Sequence, residues 1–450
     1  MTKMRLAIVG AGPAGIYAAD LLIKSELRDF EVSIDLFDLL PAPYGLVRYG
    51  VAPDHPRIKG IIRALYEVLD RGDIRFFGNV KFGTDLTLDD LKQHYNAVIF
   101  STGAIRDADL NIPGIDLDGS YGAADFVNWY DAHPDVSREW PLNAREIAVI
   151  GNGNVALDVA RVLVKLPEQM HVTDIPDHVY EGLKASPVTD VHVFGRRGPA
   201  QVKFTPLELR EATHIDGVDA IVYEEDFKYD DGSQEAIDSN NQTRVMVNTL
   251  EGLRAEPQSG SERRLHLHFF SAPVEVLGED GKVVGLRVER TELDGRGGVK
   301  PTGEFREFPV QAVYRAVGYF GSPLPGIPFD EKHGVITNDG GRVLDESGKQ
   351  LPGIYATGWI KRGPVGLIGH TKSDALETIG NVIADRETWW QPTAPDEDAI
   401  TALLAERGVE YVDWAAWLKI DAAEIAKGEA EGRERVKVYD RAEFLNIARD

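Results

Sequence analysis

A short apolar run ending in a glycine-rich turn constrains this chain more than any other feature. Leu6–Val9 has the composition of a buried parallel strand, and Gly10, Gly12 and Gly15 follow it as G-x-G-x-x-G. The first glycine permits a tight turn, the second lets a pyrophosphate approach the backbone, and the third lets the next helix pack on the strand. The spacing predicts a helix from about Ala14 to Lys24, with its N-terminal N–H groups and positive dipole end facing the phosphates. A second apolar run, Val32–Phe37, ends in Asp38, roughly the offset at which an acidic residue takes a ribose hydroxyl. Strand, helix, second strand and terminal acid in that order point to a bound dinucleotide. The plainer alternative is a tight glycine turn before an ordinary helix.

The pattern then repeats. Ile147–Ile150 reads as a strand, and Gly151, Asn152, Gly153, Asn154, Val155 and Ala156 form G-x-G-x-x-A before a helix reaching about Lys165. The strand that follows, Asp190–Phe194, ends without an acid; Arg196 and Arg197 stand there instead. A carboxylate repels a 2′-phosphate, whereas guanidinium groups bind it with charge-assisted hydrogen bonds. The first site is therefore expected to take an unphosphorylated ribose, as in FAD, and the second NADP, with a basic turn of no special role as the alternative. Two fingerprints in 450 residues predict an α/β chain of two Rossmann-like dinucleotide-binding domains, parallel sheets with helices, one inserted into the other as in disulfide-reductase-like flavoproteins. The expected division is residues 1–106 and 320–450 for FAD, and 107–319 for NADP. The two reactive ends are expected to meet, so that NADPH passes a hydride to the flavin.

A third stretch, from Gly353 to Gly380, reads as a strand at Ile354–Ala356, a turn at Thr357-Gly358-Trp359, and a helix from near Gly366 to about Arg386. A helix N-terminus aimed at a flavin ring stabilises the negative charge that builds there on reduction. Trp359 is placed either beside that ring or in the core. Residues 39–60 are rich in Pro and Gly and irregular, which in a compact domain usually signals function. They carry Arg48, Asp54, His55, Arg57 and Lys59. Arg63 falls four residues beyond Lys59 on a helical face from Ile58 to Leu69. A solvated helix face and a docking patch both account for these cations. Strands are expected at Ile74–Phe77, Lys81–Thr84 and Ala97–Phe100. Thr205–Glu211 starts a helix with Glu208 and Glu211 on one face. Residues 224–244 read as a polar excursion, and Leu265–Phe270, Pro273–Leu277 and Val283–Thr291 as meander strands. The tail from Pro392 reads as helices packed on the outside.

Composition narrows the chemistry. With no cysteine, a dithiol relay, a Cys₄ iron–sulfur cluster and a disulfide framework are all excluded, and no metal site is expected. A formal net charge of −24 argues against general nucleic-acid binding, and an acidic partner would need a local basic patch. No window has 18 unbroken apolar residues. Lys3 and Arg5 imitate a signal peptide, but cleavage there would destroy the first fingerprint, so the expected location is cytoplasmic.

Four stretches, LLPAPYGLVRYGVAPDHPRIK, GNGNVALDVARVLV, VFGRRGP and GWIKRGPVGLIG, closely resemble the adrenodoxin-reductase-like NADPH–ferredoxin reductases, from the first strand to the last residues. The resemblance implies an FAD enzyme that takes a hydride from NADPH and passes single electrons to a ferredoxin-type iron–sulfur protein docked on the patch of Arg48, Arg57, Lys59 and Arg63. It implies FAD contacts at Ala14, Asp38, Leu46, Val80, Trp359, Gly366, Leu367 and Ile368. It implies NADP contacts at Asn152 to Val155, Arg196, Arg197, Glu208 and Gly366. His55 and Glu211 match a pair near the nicotinamide that assists proton handling and positioning; read alone, His55 is equally a loop histidine capping a turn. Tyr44 stands where relatives often carry Trp, Asp38 where Glu is common, and His370 where a small polar residue is expected. A flavin monooxygenase or general NADPH diaphorase is the alternative enzyme, and a non-catalytic nucleotide sensor the alternative of another class.

Overall fold

The first apolar run lies in the strand Lys3–Val9, which pairs in parallel with Glu31–Phe37 on one side and Ala97–Phe100 on the other. The structure, a computed structural model, describes residues 3–366 and 368–449. Within this first sheet, Leu6 and Ile8 belong to one core cluster and Ala7 and Val9 to another. Successive side chains of a strand face opposite ways, so both faces are covered, and the run is unbroken rather than alternating.

The chain divides into two units: Met1–Arg106 with Asp131–Asp135 and Tyr319–Asp450, and Asp107–Tyr130 with Val136–Gly318. The short Asp131–Asp135 segment thus belongs with the first unit, and not with the second, where the expected boundaries at residues 107 and 319 put it.

In the first unit, a seven-stranded sheet has the order Asn338–Asp339, Arg342–Leu344, Gln350–Ala356, Ala97–Phe100, Lys3–Val9, Glu31–Phe37, Ile74–Phe77. The last five are parallel. The helices Pro13–Lys24 and Ile368–Ala384 pack against each other. Lys81–Thr84 is not a strand. Gly83 takes φ +90°, and the Lys81 carbonyl accepts the N–H groups of Thr84 (3.2 Å) and Asp85 (2.8 Å), closing a turn. Nor does the tail lie outside: Trp417, Ile420 and Phe444 are fully buried in this unit's core. The Trp414–Ala430 helix buries Trp417, Ile420, Glu424 and Gly428 on one stripe, and a glutamate within that stripe hides it from an apolar scan.

In the second unit, a six-stranded parallel sheet has the order Ser120–Gly122, Ala312–Arg315, Glu146–Ile150, Asp190–Phe194, Arg263–His268, Val218–Val222. The run expected as the first meander strand is therefore part of this sheet. The antiparallel meander is Ser271–Glu279, Lys282–Leu293 and Val299–Phe308. The chain changes sheet at Phe270, which adopts φ +49°. The third meander strand, VKPTGEFREF, is mostly exposed and so lacks an apolar signal. The acidic excursion contains two helices, Asp231–Ser239 and Asn241–Ala255, capped by Asp230 and Asn240 and anchored by Met246, Leu250 and Leu253.

Between this sheet and the meander lie three buried histidines. His192 stacks on His266 with ring centroids 4.2 Å apart and planes within 15°, and its Nδ1 is hydrogen-bonded to His268 Nε2 at 3.0 Å. His266 is held by Tyr223 Oη at 2.8 Å and Asp190 Oδ1 at 2.9 Å, and Phe308 covers His268. The near-parallel rings pack as an aromatic stack, and one nitrogen from each ring lies within 4.8 Å of the other two. Burial lowers all three, His192 to about 3.

Candidate functional site

Gly10 sits at φ +113°, and its N–H donates to the Phe37 carbonyl at 2.7 Å. A Cβ there would lie 2.4 Å from the Ser101 carbonyl oxygen, and one at Gly15 would lie 2.1 Å from the Gly10 carbonyl oxygen. Those two positions admit no side chain. Gly12 differs: the nearest atom to a Cβ there is Gly45 Cα at 3.8 Å. It is the N-cap of the Pro13–Lys24 helix and offers no side-chain cap, so the helix start is left for a ligand with acceptor oxygens.

Asp38 ends its strand as expected and is buried. Its carboxylate accepts the N–H groups of Ala11 (2.6 Å) and Leu40 (2.9 Å), while burial pushes its pKa up to about 6. It thereby ties the glycine turn to the loop from residue 39. That loop returns to the turn at Tyr44, whose N–H donates to the Ala11 carbonyl at 2.8 Å, and at Gly45. Leu46, half-buried, opens the short helix Leu46–Tyr49; Val80 is buried and donates its N–H to the Asp38 carbonyl at 2.8 Å. The third stretch reaches the same turn, since a Cβ on Gly358 would lie 2.6 Å from Ala14 Cβ. Trp359, half-buried, follows at the start of Trp359–Arg362. Gly366 is exposed at φ +86° before the Ile368–Ala384 helix, and Leu367 lies outside the described residues.

In the second unit, Gly151 repeats the role of Gly10: its Cβ would meet the Ala316 carbonyl oxygen at 2.2 Å. Gly153 repeats that of Gly12. It caps the Asn154–Val164 helix without a side-chain bond, and nothing lies within 4 Å of a Cβ built there. The Asn152 carbonyl accepts the Lys203 N–H (2.9 Å), and Asn154 Oδ1 accepts the Thr205 N–H (2.9 Å). Val155 is half-buried beside them. Arg196 and Arg197 are exposed on the turn after Asp190–Phe194. Their backbone is fixed by the Thr291 hydroxyl on the Arg196 carbonyl (2.7 Å) and by the Phe270 N–H on the Arg197 carbonyl (3.1 Å). Among the described residues, no carboxylate pairs with either guanidinium. Glu208 is buried on the helix Pro206–Thr213, with Oε2 3.5 Å from Nη1 of the buried Arg161, which also pairs with Asp158 at 2.9 Å. Glu211 is half-buried on the same helix.

His55, in the first unit, is buried just before the short helix Pro56–Lys59, and its ring does not cap that helix. The proposed basic patch needs correction. Arg48 is buried, with both Nη atoms on the Glu424 carboxylate, so it faces no partner. Its apolar neighbours Val47 and Tyr49 turn the whole short helix inward. Lys59 Nζ is 3.5 Å from Asp131; Arg57 and Arg63 are exposed.

Residues 4–187 match the family model for pyridine nucleotide-disulphide oxidoreductases. The chain is 43% identical over 463 residues to NADPH-ferredoxin reductase FprA of Mycobacterium tuberculosis, covering 99% of each. The chain belongs to the NADPH-ferredoxin reductase family. Its human relative, mitochondrial NADPH:adrenodoxin oxidoreductase, is 38% identical over 98% of this chain and 91% of its own length. The solved structure of M. tuberculosis FprA in complex with NADPH superposes with a TM-score of 0.91 at 41% identity, covering all of both chains.

In this reductase-family chain Asp374 carries no sequence signal that sets it apart from other helix acids. Its carboxylate accepts the Gly358 N–H (2.6 Å) and the Thr357 hydroxyl (3.1 Å), and lies 3.1 Å from the buried Lys361 Nζ. One helical acid thus fixes the corner that presents Trp359. Asp374→Asn is expected to cost about 1–3 kcal/mol in urea unfolding, because Lys361 loses a charged partner. Unchanged stability would mean that the carboxylate does not hold the corner.

Proposed function

We propose that the chain is an FAD-dependent NADPH–ferredoxin reductase, with FAD held by the first unit and NADP(H) by the second. The observation that carries the reading is the difference between two strand ends: Asp38 closes Glu31–Phe37, and Arg196-Arg197 follow Asp190–Phe194. Both glycine turns fit a pyrophosphate, since Gly12 and Gly153 leave the helix starts bare. FAD, when bound, supplies a two-electron acceptor that can discharge one electron at a time, which a chain without cysteine does not supply itself.

The protein's part is binding and orientation. Gly10, Gly12 and Gly15 admit the FAD pyrophosphate, Asp38 faces its ribose, and Ala14, Leu46, Val80 and Trp359 line the approach; Gly366, Leu367 and Ile368 are assigned to FAD as well. Asn152, Gly153, Asn154 and Val155 take the NADP pyrophosphate, and Arg196 and Arg197 the 2′-phosphate. Glu208 supports that site from Pro206–Thr213, with its carboxylate beside Arg161. His55 and Glu211 are assigned to proton handling and positioning of the nicotinamide.

An acidic ferredoxin-type partner docks on the exposed Arg57 and Arg63, while Lys59 is turned onto Asp131 and contributes less. The test is anaerobic reduction by NADPH followed by reoxidation with ferredoxin. The yellow colour is expected to bleach within a turnover and return when ferredoxin is added. Reoxidation is expected to slow several-fold between about 50 and 500 mM salt, because exposed charges are screened. A protein whose colour NADPH does not bleach would end the reading; a flat salt response would remove the patch alone.

A further inference from the structure

The loop that returns to the first glycine turn is held only in part by its own neighbours: the Val47 N–H donates to the Tyr44 carbonyl at 3.1 Å and the Arg48 N–H to the Gly45 carbonyl at 3.0 Å. Tyr44 adopts φ +84° and Gly45 +51°, and the backbone there depends on what surrounds it. The Tyr44 ring and the Arg48 side chain are surrounded by residues 414–438. Arg48 Nη1 donates to Glu424 Oε2 at 2.9 Å and Nη2 to Oε1; the same carboxylate accepts the Val438 N–H at 2.8 Å. Arg435 Nη1 lies 3.2 Å from it and 2.7 Å from Asp421. The Arg48 guanidinium also lies over the Trp417 ring at 5.1 Å, and Tyr44 meets the edge of that ring at 6.0 Å. A second buried lysine, Lys437, donates to the Arg48 carbonyl at 2.7 Å and to Asp131 Oδ1 at 2.9 Å. Glu424 is fully buried, so the pair is not a surface ornament.

We infer that the C-terminal segment is a strap that holds the flavin-binding loop shut, with Glu424 and Lys437 as positioning residues for FAD. The inference rests on the assignment of FAD to the first unit. A buried ion pair needs both partners, and loss of one leaves a desolvated charge that the loop relieves by moving. The segment lies more than 360 residues along the chain from the loop it fixes.

The test uses the full holoprotein and reads flavin release by the rise in FAD fluorescence after dilution, beside binding of 2′,5′-ADP, a probe for the NADP site. Glu424→Gln and Lys437→Met are both made, the second so that the inference stays open to test if the first does not fold. Release at least tenfold faster in a folded variant, with 2′,5′-ADP binding unchanged and full flavin occupancy recovered in excess FAD, is the expected result. Release at the wild-type rate overturns the strap. Faster release accompanied by lost 2′,5′-ADP binding also overturns it, since that is general unfolding. A wild-type protein that carries no flavin would instead overturn the assignment beneath it.

Discussion

Replacing Arg196 and Arg197 together with alanine is expected to raise the Michaelis constant for NADPH by roughly a hundredfold or more, at about 1.5–3 kcal/mol for each lost charge-assisted hydrogen bond. The constant for NADH is expected to stay within about twofold, because NADH has no 2′-phosphate for either guanidinium to hold. The turnover number with saturating NADPH should change little, since the 2′-phosphate is remote from the reacting ring and contributes equally before and during the reaction. The two side chains suit this use: they are exposed, their backbone is braced by Thr291 and Phe270, and no described carboxylate competes for them. Steady-state kinetics with both nucleotides decide the matter. Equal rises for NADPH and NADH would remove the arginines from nucleotide selection.

Mild acid is expected to destabilise the second unit. Its stacked histidines are neutral in the folded state, and burial together with the neighbouring His266 brings His192 to about 3 from an ordinary value near 6.5. Asp190 opposes that shift and Arg264 reinforces it. The unfolded chain therefore takes up protons below about pH 6.5 that the folded chain refuses until about 3. Stability is complete above pH 6.5 and is lost as the pH falls through that window. At roughly 1.4 kcal/mol per tenfold difference in proton affinity, His192 alone withdraws about 2 kcal/mol by pH 5, and about 5 kcal/mol by pH 3. For a unit of this size the former corresponds to a fall of about 5 °C in melting temperature. Calorimetry between pH 7.5 and 5 measures it, with His192→Phe expected to flatten the slope. A melting temperature independent of pH across this range would show that the stack is not the acid-sensitive element.

The parts of the fold most legible in the amino acids were those where backbone geometry leaves few options. Gly10 and Gly15 have no room for a Cβ, and an apolar run covered on both faces has few other readings, so both glycine turns and their strands stood out. What stayed hidden depends on distant partners. Arg48 looks like any loop arginine until Glu424 is placed opposite it, and Asp374 looks like an ordinary helix acid until the turn at Gly358 meets it. The boundary between parallel sheet and meander was lost because Arg263–His268 and Ser271–Glu279 are separated by only two residues. His192, His266 and His268 did leave a signal, histidines on adjacent strands with His266 and His268 two residues apart, on one face. It passed unnoticed because histidine belongs to neither the apolar nor the charged pattern.

The insertion also sets an order of manufacture. The first sheet has Gln350–Ala356 beside Ala97–Phe100, and its core waits for Trp417 and Phe444. A ribosome has therefore delivered all of residues 107–318 before the front of the chain owns its missing strand. Vectorial synthesis favours the inserted unit as the first to fold. Residues 3–106 meanwhile present an open edge at Ala97–Phe100, and any need for chaperone protection during translation falls there, on the part made earliest.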